Sequence, residues 1–199
     1  MKPMRSWALP SATQPAEHRP SPLGPLVWQP SLYSRNTISY LVAHRWRRDT
    51  KDAELQALKR LKLDLDPAVI RHIAEEIVDL ARKIGPAPAS VVPIACGHSK
   101  RDDCLSFQLA SSVAELLGAT FAPVFTTRPA PGSSHPKANL DLPPLEMRER
   151  PAGPALLVDD VATSGWHLEE ALTRLRTEGV PCSAIAWLGG VTGDCAMAT

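Results

Sequence analysis

Ala155-Leu-Leu-Val-Asp-Asp-Val-Ala-Thr-Ser-Gly-Trp-His-Leu168 is the stretch on which the fold turns. Ala155 to Val158 is a short apolar run of the kind that forms a fully buried parallel strand. Asp159 and Asp160 stand where that strand should stop. Thr163, Ser164 and Gly165 then bring two hydroxyls and an unobstructed backbone. An amphipathic helix follows, with Leu168, Leu172 and Leu175 on one face, running to about Glu178. A helix N-terminus with unpaired N–H groups takes phosphate. In an open α/β sheet the ligand crevice lies beyond the carboxyl ends of the strands. Two carboxylates beside an anion site therefore predict a ligand bearing both phosphate and hydroxyl groups, with a divalent metal. The plainer alternative is a solvated acidic loop in which Thr163 or Ser164 is a structural N-cap. No G-x-x-x-x-G-K-[ST] loop and no G-x-G-x-x-G fingerprint occurs in the chain, which removes the nucleotide-hydrolase and dinucleotide readings of the same strand.

On the carboxyl side, Gly179-Val180-Pro181 turns the chain into a last strand from Ser183 to Leu188, followed by Gly189-Gly190. Trp187 on that strand suits either core packing or stacking on a base. On the amino side, Thr127 to Ala152 is proline-rich and lacks an apolar period, as expected of a long loop. Before it come a strand from Thr120 to Thr126 and a helix from Leu105 to Leu117 stopped by Gly118. The first core strand spans Ala89 to Ala95 and runs into Gly97, Lys100 and Arg101. Gly97 lets a ligand approach the backbone, and the two cations suit a polyanion; an ordinary solvated turn is the alternative. Alternation of strand and helix predicts a parallel sheet.

Farther upstream, Asp66-Pro67 opens a helix as N-cap and N1. Ile70, Ile73, Ile77, Leu80 and Ile84 keep a 3.6-residue period, Gly85 ends it, and His72 is placed at the surface. Asp52 to Lys62 reads as a short helix with Leu55, Leu58 and Leu61 on one face. The whole of Ser31 to Lys62 reads as helical and basic, with His44-Arg45-Trp46-Arg47-Arg48 as a solvated helix end or, less simply, a nucleic-acid contact. Residues 1–30 hold seven of the 20 prolines and are expected to form an extended tail.

The chain has 199 residues and a formal net charge of +1, which gives no global case for a nucleic-acid or membrane partner. Its 44% hydrophobic and 22% charged residues suit a globular protein. No apolar run reaches the length of a signal peptide or membrane span, so a cytoplasmic location is expected. Cys96, Cys104, Cys182 and Cys195 lack zinc-site spacing and no base is paired with them, so reduced, non-catalytic thiols are expected.

Val158-Asp159-Asp160-Val161-Ala162-Thr163-Ser164-Gly165 resembles the phosphoribosyl pyrophosphate (PRPP) signature of the type I phosphoribosyltransferases. That signature is an apolar strand, paired acids, a variable residue, Thr-Thr-Gly and a helix. Ser164 replaces the second Thr, and His167 stands where a Thr is usual. More loosely, Ser106-Phe107-Gln108-Leu109-Ala110 resembles the competence-associated ComF branch, without that branch's glycine and asparagine. The resemblance implies an α/β, type I phosphoribosyltransferase-like core over residues 87–199, with a mainly parallel sheet flanked by helices. It implies a helical hood over 31–86, preceded by the proline-rich tail. Asp159 and Asp160 would bind the ribose hydroxyls and act in catalysis. Ala162, Thr163, Ser164, Gly165, Trp166 and His167 would hold the 5′-phosphate. Gly97, Lys100 and Arg101 would hold pyrophosphate, and residues 127–152 would be a lid bringing Arg128, His135 and Lys137. Mg²⁺ would arrive on PRPP near the two acids, the acceptor would be a nitrogenous base, and a homodimer would be usual. A catalytically weak PRPP or nucleotide sensor, and an accessory of a nucleic-acid or defence complex docking through Arg45 to Arg48, stand as alternatives.

Overall fold

The computed structural model describes residues 27–46, 51–94, 104–127 and 143–191. In chain order the elements are β1 (Val27–Arg35), β2 (Ile38–Trp46), α1 (Lys51–Asp64), α2 (Pro67–Ile84), β3 (Ser90–Pro93), α3 (Leu105–Leu117), β4 (Thr120–Phe121), β5 (Ala155–Ala162), α4 (Trp166–Thr177) and β6 (Cys182–Val191). The six strands form one sheet in the order β1-β2-β6-β5-β3-β4. Only β1 runs antiparallel, paired to β2; every other neighbouring pair is parallel.

The expected α/β architecture is present. One face of the sheet is covered by α1, α2 and α3 around Ile73, Ile77, Leu109, Leu156, Val158 and Trp187. The other face is covered by α4 around Leu168, Leu172, Leu175, Leu157, Tyr40 and Val42. Both faces of β5 are thus buried, which is why Ala155 to Val158 is apolar without alternation.

The chain reverses its direction of travel across the sheet at β3. From β3 it steps outward to β4 through α3, then returns to pair β5 on the other side of β3. This is a topological switch point, and ligand crevices open there at the strands' carboxyl ends. The β3–β5 ladder runs from Ser90–Ala155 to Pro93–Val158, and its last rung is Ile94 N–H to Val158 C=O at 3.0 Å. Beyond Val158, among the described residues, β5 pairs with β6 alone, through Asp159–Ala186, Val161–Leu188 and Ala162–Gly189.

Several expectations are corrected. Residues 31–46, read as helical, are the β1–β2 hairpin, closed by Asn36 and Thr37 with Asn36 in the left-handed region at φ 48. Its second strand carries Ile38, Tyr40, Val42 and Trp46, the β-branched and aromatic residues that strands favour. β1 begins at Val27, so the last residues of the expected tail belong to the sheet. His44, Arg45 and Trp46 are buried in β2 rather than displayed on a helix end, so that part of the basic cluster offers no free surface for nucleic acid; Arg47 and Arg48 lie outside the described residues. The second core strand is only two residues long, and Phe125 instead bridges Met147 in the opposite sense. Strand β5 does not stop at the acids but continues to Ala162, because β6 still offers it a ladder.

Helix α2 starts as expected, with Asp66 accepting from Ala68 N–H at 2.8 Å and Pro67 in the first turn. It ends at Gly85 in extended backbone rather than a left-handed cap, and Ile84 is 43% exposed, outside the core. His72 is half-buried rather than surface-exposed, with Nε2 3.8 Å from Glu76. Trp187 is fully buried and donates from Nε1 to Glu76 Oε2 at 2.9 Å, which decides for core packing over base stacking.

Candidate functional site

Successive side chains of a strand point to opposite faces, so Asp159 and Asp160 leave β5 in different directions although they adjoin. Both are nearly buried, at 7% and 6% exposure. Asp159 Oδ1 accepts from Ser106 Oγ at 3.3 Å, at the start of α3, and from the backbone N–H of Asp160 at 2.9 Å. Asp160 Oδ2 lies 2.6 Å from Nζ of Lys62, in the last turn of α1. Buried carboxylates keep their charge only with such partners.

After Ala162 the chain leaves the sheet, and Thr163 is exposed while Gly165 is buried. Gly165 takes φ 70 as the residue before α4. A Cβ there would stand 2.6 Å from the hydroxyl of Tyr40 and within 3 Å of its ring, so both backbone and space require glycine. Burial pushes the Tyr40 phenol above its ordinary value; Tyr33 adds to the shift and Arg35 opposes it. The loop therefore rests on a neutral phenol. Ser164 Oγ accepts from Trp166 N–H at 3.4 Å, a weak N-terminal cap. The turn is completed at Gly189 of β6, where a Cβ would meet the carbonyl oxygen of Ala162 at 2.6 Å. Strand β6 must be bare there for β5 to end where it does.

The hairpin turn braces this loop from outside. Arg35 donates from Nη1 to Ser164 C=O at 3.1 Å and from Nε to Glu169 Oε2 at 2.6 Å. Asn36 donates to the other oxygen of Glu169 at 2.5 Å. Glu169 lies in the first turn of α4, where its charge would oppose a bound anion. Arg35 neutralises it. A groove of about 530 Å³ runs beside this brace, lined by Arg35, Asn36, Trp166 and Glu169 among others; it does not reach the two acids.

The structure thus brings together Asp159, Asp160, Ala162, Thr163, Ser164, Gly165, Trp166 and His167 in one strand-end and helix-start. His167 sits edge-on to the Trp166 ring, with centroids 5.2 Å apart. The other expected site residues, Gly97, Lys100, Arg101, Arg128, His135 and Lys137, lie outside the described residues. Lys62, Ser106, Arg35 and Tyr40 are site residues that the sequence alone did not reveal. Lys62 had one faint signal, its place four residues after the core-facing Leu58. For Arg35 there was none, since its partners lie more than a hundred residues away.

As hard oxygen donors the two carboxylates suit Mg²⁺. Among the described residues, however, no group of three or more His, Cys, Asp or Glu could hold a metal. Burial raises the Cys182 thiol, and Cys104 is buried; Cys96 and Cys195 lie outside the described residues. No helix among the described residues is long and apolar enough to cross a membrane.

No family model matches the chain, and no curated protein matches it. Among solved structures its fold is similar to adenine phosphoribosyltransferase from Leishmania tarentolae, with 16% identity, 68% of this chain and 74% of that chain covered, and a TM-score of 0.43. It is also similar to orotate phosphoribosyltransferase from Aeropyrum pernix, with 16% identity, coverage of 84% and 77%, and a TM-score of 0.39. A hypothetical protein from Neisseria gonorrhoeae with bound ppGpp is a third, at 15% identity, coverage of 65% and 87%, and a TM-score of 0.39.

Proposed function

We propose that this protein binds PRPP and transfers its phosphoribosyl group to a nitrogen acceptor, releasing pyrophosphate. One observation carries the reading: two buried, adjacent carboxylates stand where β5 parts from β3, followed at once by a hydroxyl-and-glycine turn into α4. A sugar phosphate has the matching chemistry. Its ring hydroxyls donate to Asp159 and Asp160, and its 5′-phosphate accepts from backbone N–H groups at the start of α4 and from the Thr163 and Ser164 hydroxyls.

In the transfer, the bond from the anomeric carbon to pyrophosphate oxygen breaks, the pyrophosphate leaving with the electron pair. A bond to the acceptor nitrogen forms, and that nitrogen gives up its proton to the departing pyrophosphate or to solvent. The sugar passes through a cationic, oxocarbenium-like state, which the negative charge of the two carboxylates stabilises. Mg²⁺ carried on the ligand's oxygens beside Asp159 and Asp160 would neutralise the leaving group's charge. Gly97, Lys100 and Arg101, with Arg128, His135 and Lys137, are the further residues proposed to contact pyrophosphate.

A second reading, a PRPP or nucleotide sensor with little chemistry, is favoured by His167, whose ring packs on Trp166 where the resembled signature has a hydroxyl.

Calorimetric titration of Mg²⁺–PRPP, with ribose 5-phosphate as a control ligand, tests the site. Metal-dependent binding is expected, and folded Asp159→Asn/Asp160→Asn should bind at least about a hundredfold more weakly. Wild-type affinity in that folded variant would refute the assignment. Pyrophosphate release across a panel of bases then separates enzyme from sensor.

A further inference from the structure

The acidic pair has a third charge beside it that comes from outside the α/β core. Lys62 is half-exposed, at 39%, yet its ammonium reaches 2.6 Å from a carboxylate that is 9% exposed. Helix α1 is not loosely attached. Leu58 and Leu61 are buried with the residues of α2 and α3, and Lys62 follows Leu58 by one helical turn. Its stem therefore runs along the edge of the core-facing stripe, and its head enters the site.

We infer that Lys62 is a ligand-binding residue of this site, the fixed counter-charge that lets a polyanionic sugar phosphate settle on two adjacent buried carboxylates. The inference rests on the PRPP reading above. Asp159 and Asp160 alone would present two negative charges to a ligand that is itself strongly negative, and such repulsion is poorly screened in a buried site. The ammonium offsets the charge of Asp160. A carboxylate accepts at both oxygens, so Asp160 can keep Lys62 on Oδ2 while a ligand hydroxyl donates to Oδ1. The ammonium has three donors on a flexible stem, so it can hold Asp160 and a ligand oxygen together. Ordinary surface pairs join two solvated side chains and contribute little; here one partner is buried. Lys62 and Mg²⁺ then serve the same electrostatic need, and losing one makes the site lean on the other.

The test is calorimetric titration of PRPP across a magnesium series into wild type, Lys62→Met, Lys62→Arg, Asp160→Asn and Lys62→Met/Asp160→Asn, each checked for fold by circular dichroism. Lys62→Met should bind about tenfold more weakly at low magnesium, with the deficit shrinking as magnesium saturates. Lys62→Arg should recover most of the affinity. In the Asp160→Asn background, Lys62→Met should cost less than it does in the wild type, because offsetting Asp160 is part of its effect while its own contact to the ligand is lost in either background. A merely structural lysine would give neither the magnesium dependence nor the non-additivity. Lys62→Gln carries the same test should the methionine variant not fold. If wild type binds PRPP and Lys62→Met binds it equally or more tightly at every magnesium concentration, the inference is overturned while the PRPP reading stands. If folded wild type binds no PRPP under any condition, the PRPP reading falls and the inference with it.

Discussion

At the scale of single residues, the turn between β5 and α4 depends on two glycines for two different reasons. Gly165 needs a left-handed backbone and clearance above the Tyr40 ring, while Gly189 needs clearance beneath the Ala162 carbonyl. Gly165→Ala should therefore cost about 1–3 kcal/mol of stability. It should also weaken ribose 5-phosphate binding, since the clash with the Tyr40 ring forces the ring or the turn to shift. Thermal unfolding and calorimetry on the same samples check both; a stable variant with unchanged affinity would show that the turn tolerates a side chain. Gly165 was legible in the sequence through its place after Thr163 and Ser164. The need at Gly189 was not, because it arises from a strand that only the sheet brings beside β5.

At the scale of elements, a polar knot ties α2 to the sheet. Glu76 Oε2 accepts from Trp187 Nε1 on β6 and lies 2.9 Å from His44 Nε2 on β2, so one carboxylate joins three elements. Removing it takes the acceptor from the buried Trp187 Nε1–H and ends the tie to His44. Glu76→Leu should lose about 2–4 kcal/mol in urea denaturation, and Glu76→Gln markedly less, since the amide keeps an acceptor. Equal losses would mean that the side chain's packing, rather than its oxygen, matters. Helices α2, α3 and α4 were legible because each has a clean apolar period; α2 also has its Asp66-Pro67 start. The hairpin was not. Its strands alternate only weakly in polarity, its turn is Asn36-Thr37 rather than Asn-Gly, and the cations of β2 imitate a helix end.

At the scale of the whole molecule, the hairpin is structural and not an appended hood. Strand β2 pairs with β6, and Ile38, Tyr40 and Val42 line the same core as α4. A chain lacking residues 27–46 should therefore fail to fold, seen as loss of the cooperative thermal transition. A folded truncation would mean that the sheet closes on β6 alone. The acidic strand and its turn could be read from sequence because they are contiguous, whereas the pieces that complete the site come from the far end of the chain. Arg35 and Ser164 are 129 residues apart and bonded. Contacts of such high sequence separation carry a large loop-closure cost and form late in folding. The brace under the α4 turn is thus assembled only when the first hairpin meets strands made last. If the proposed phosphate site is correct, acquisition of phosphate affinity during refolding would mark the end of the folding reaction, and a ligand that selects the finished turn would pull the last docking step to completion.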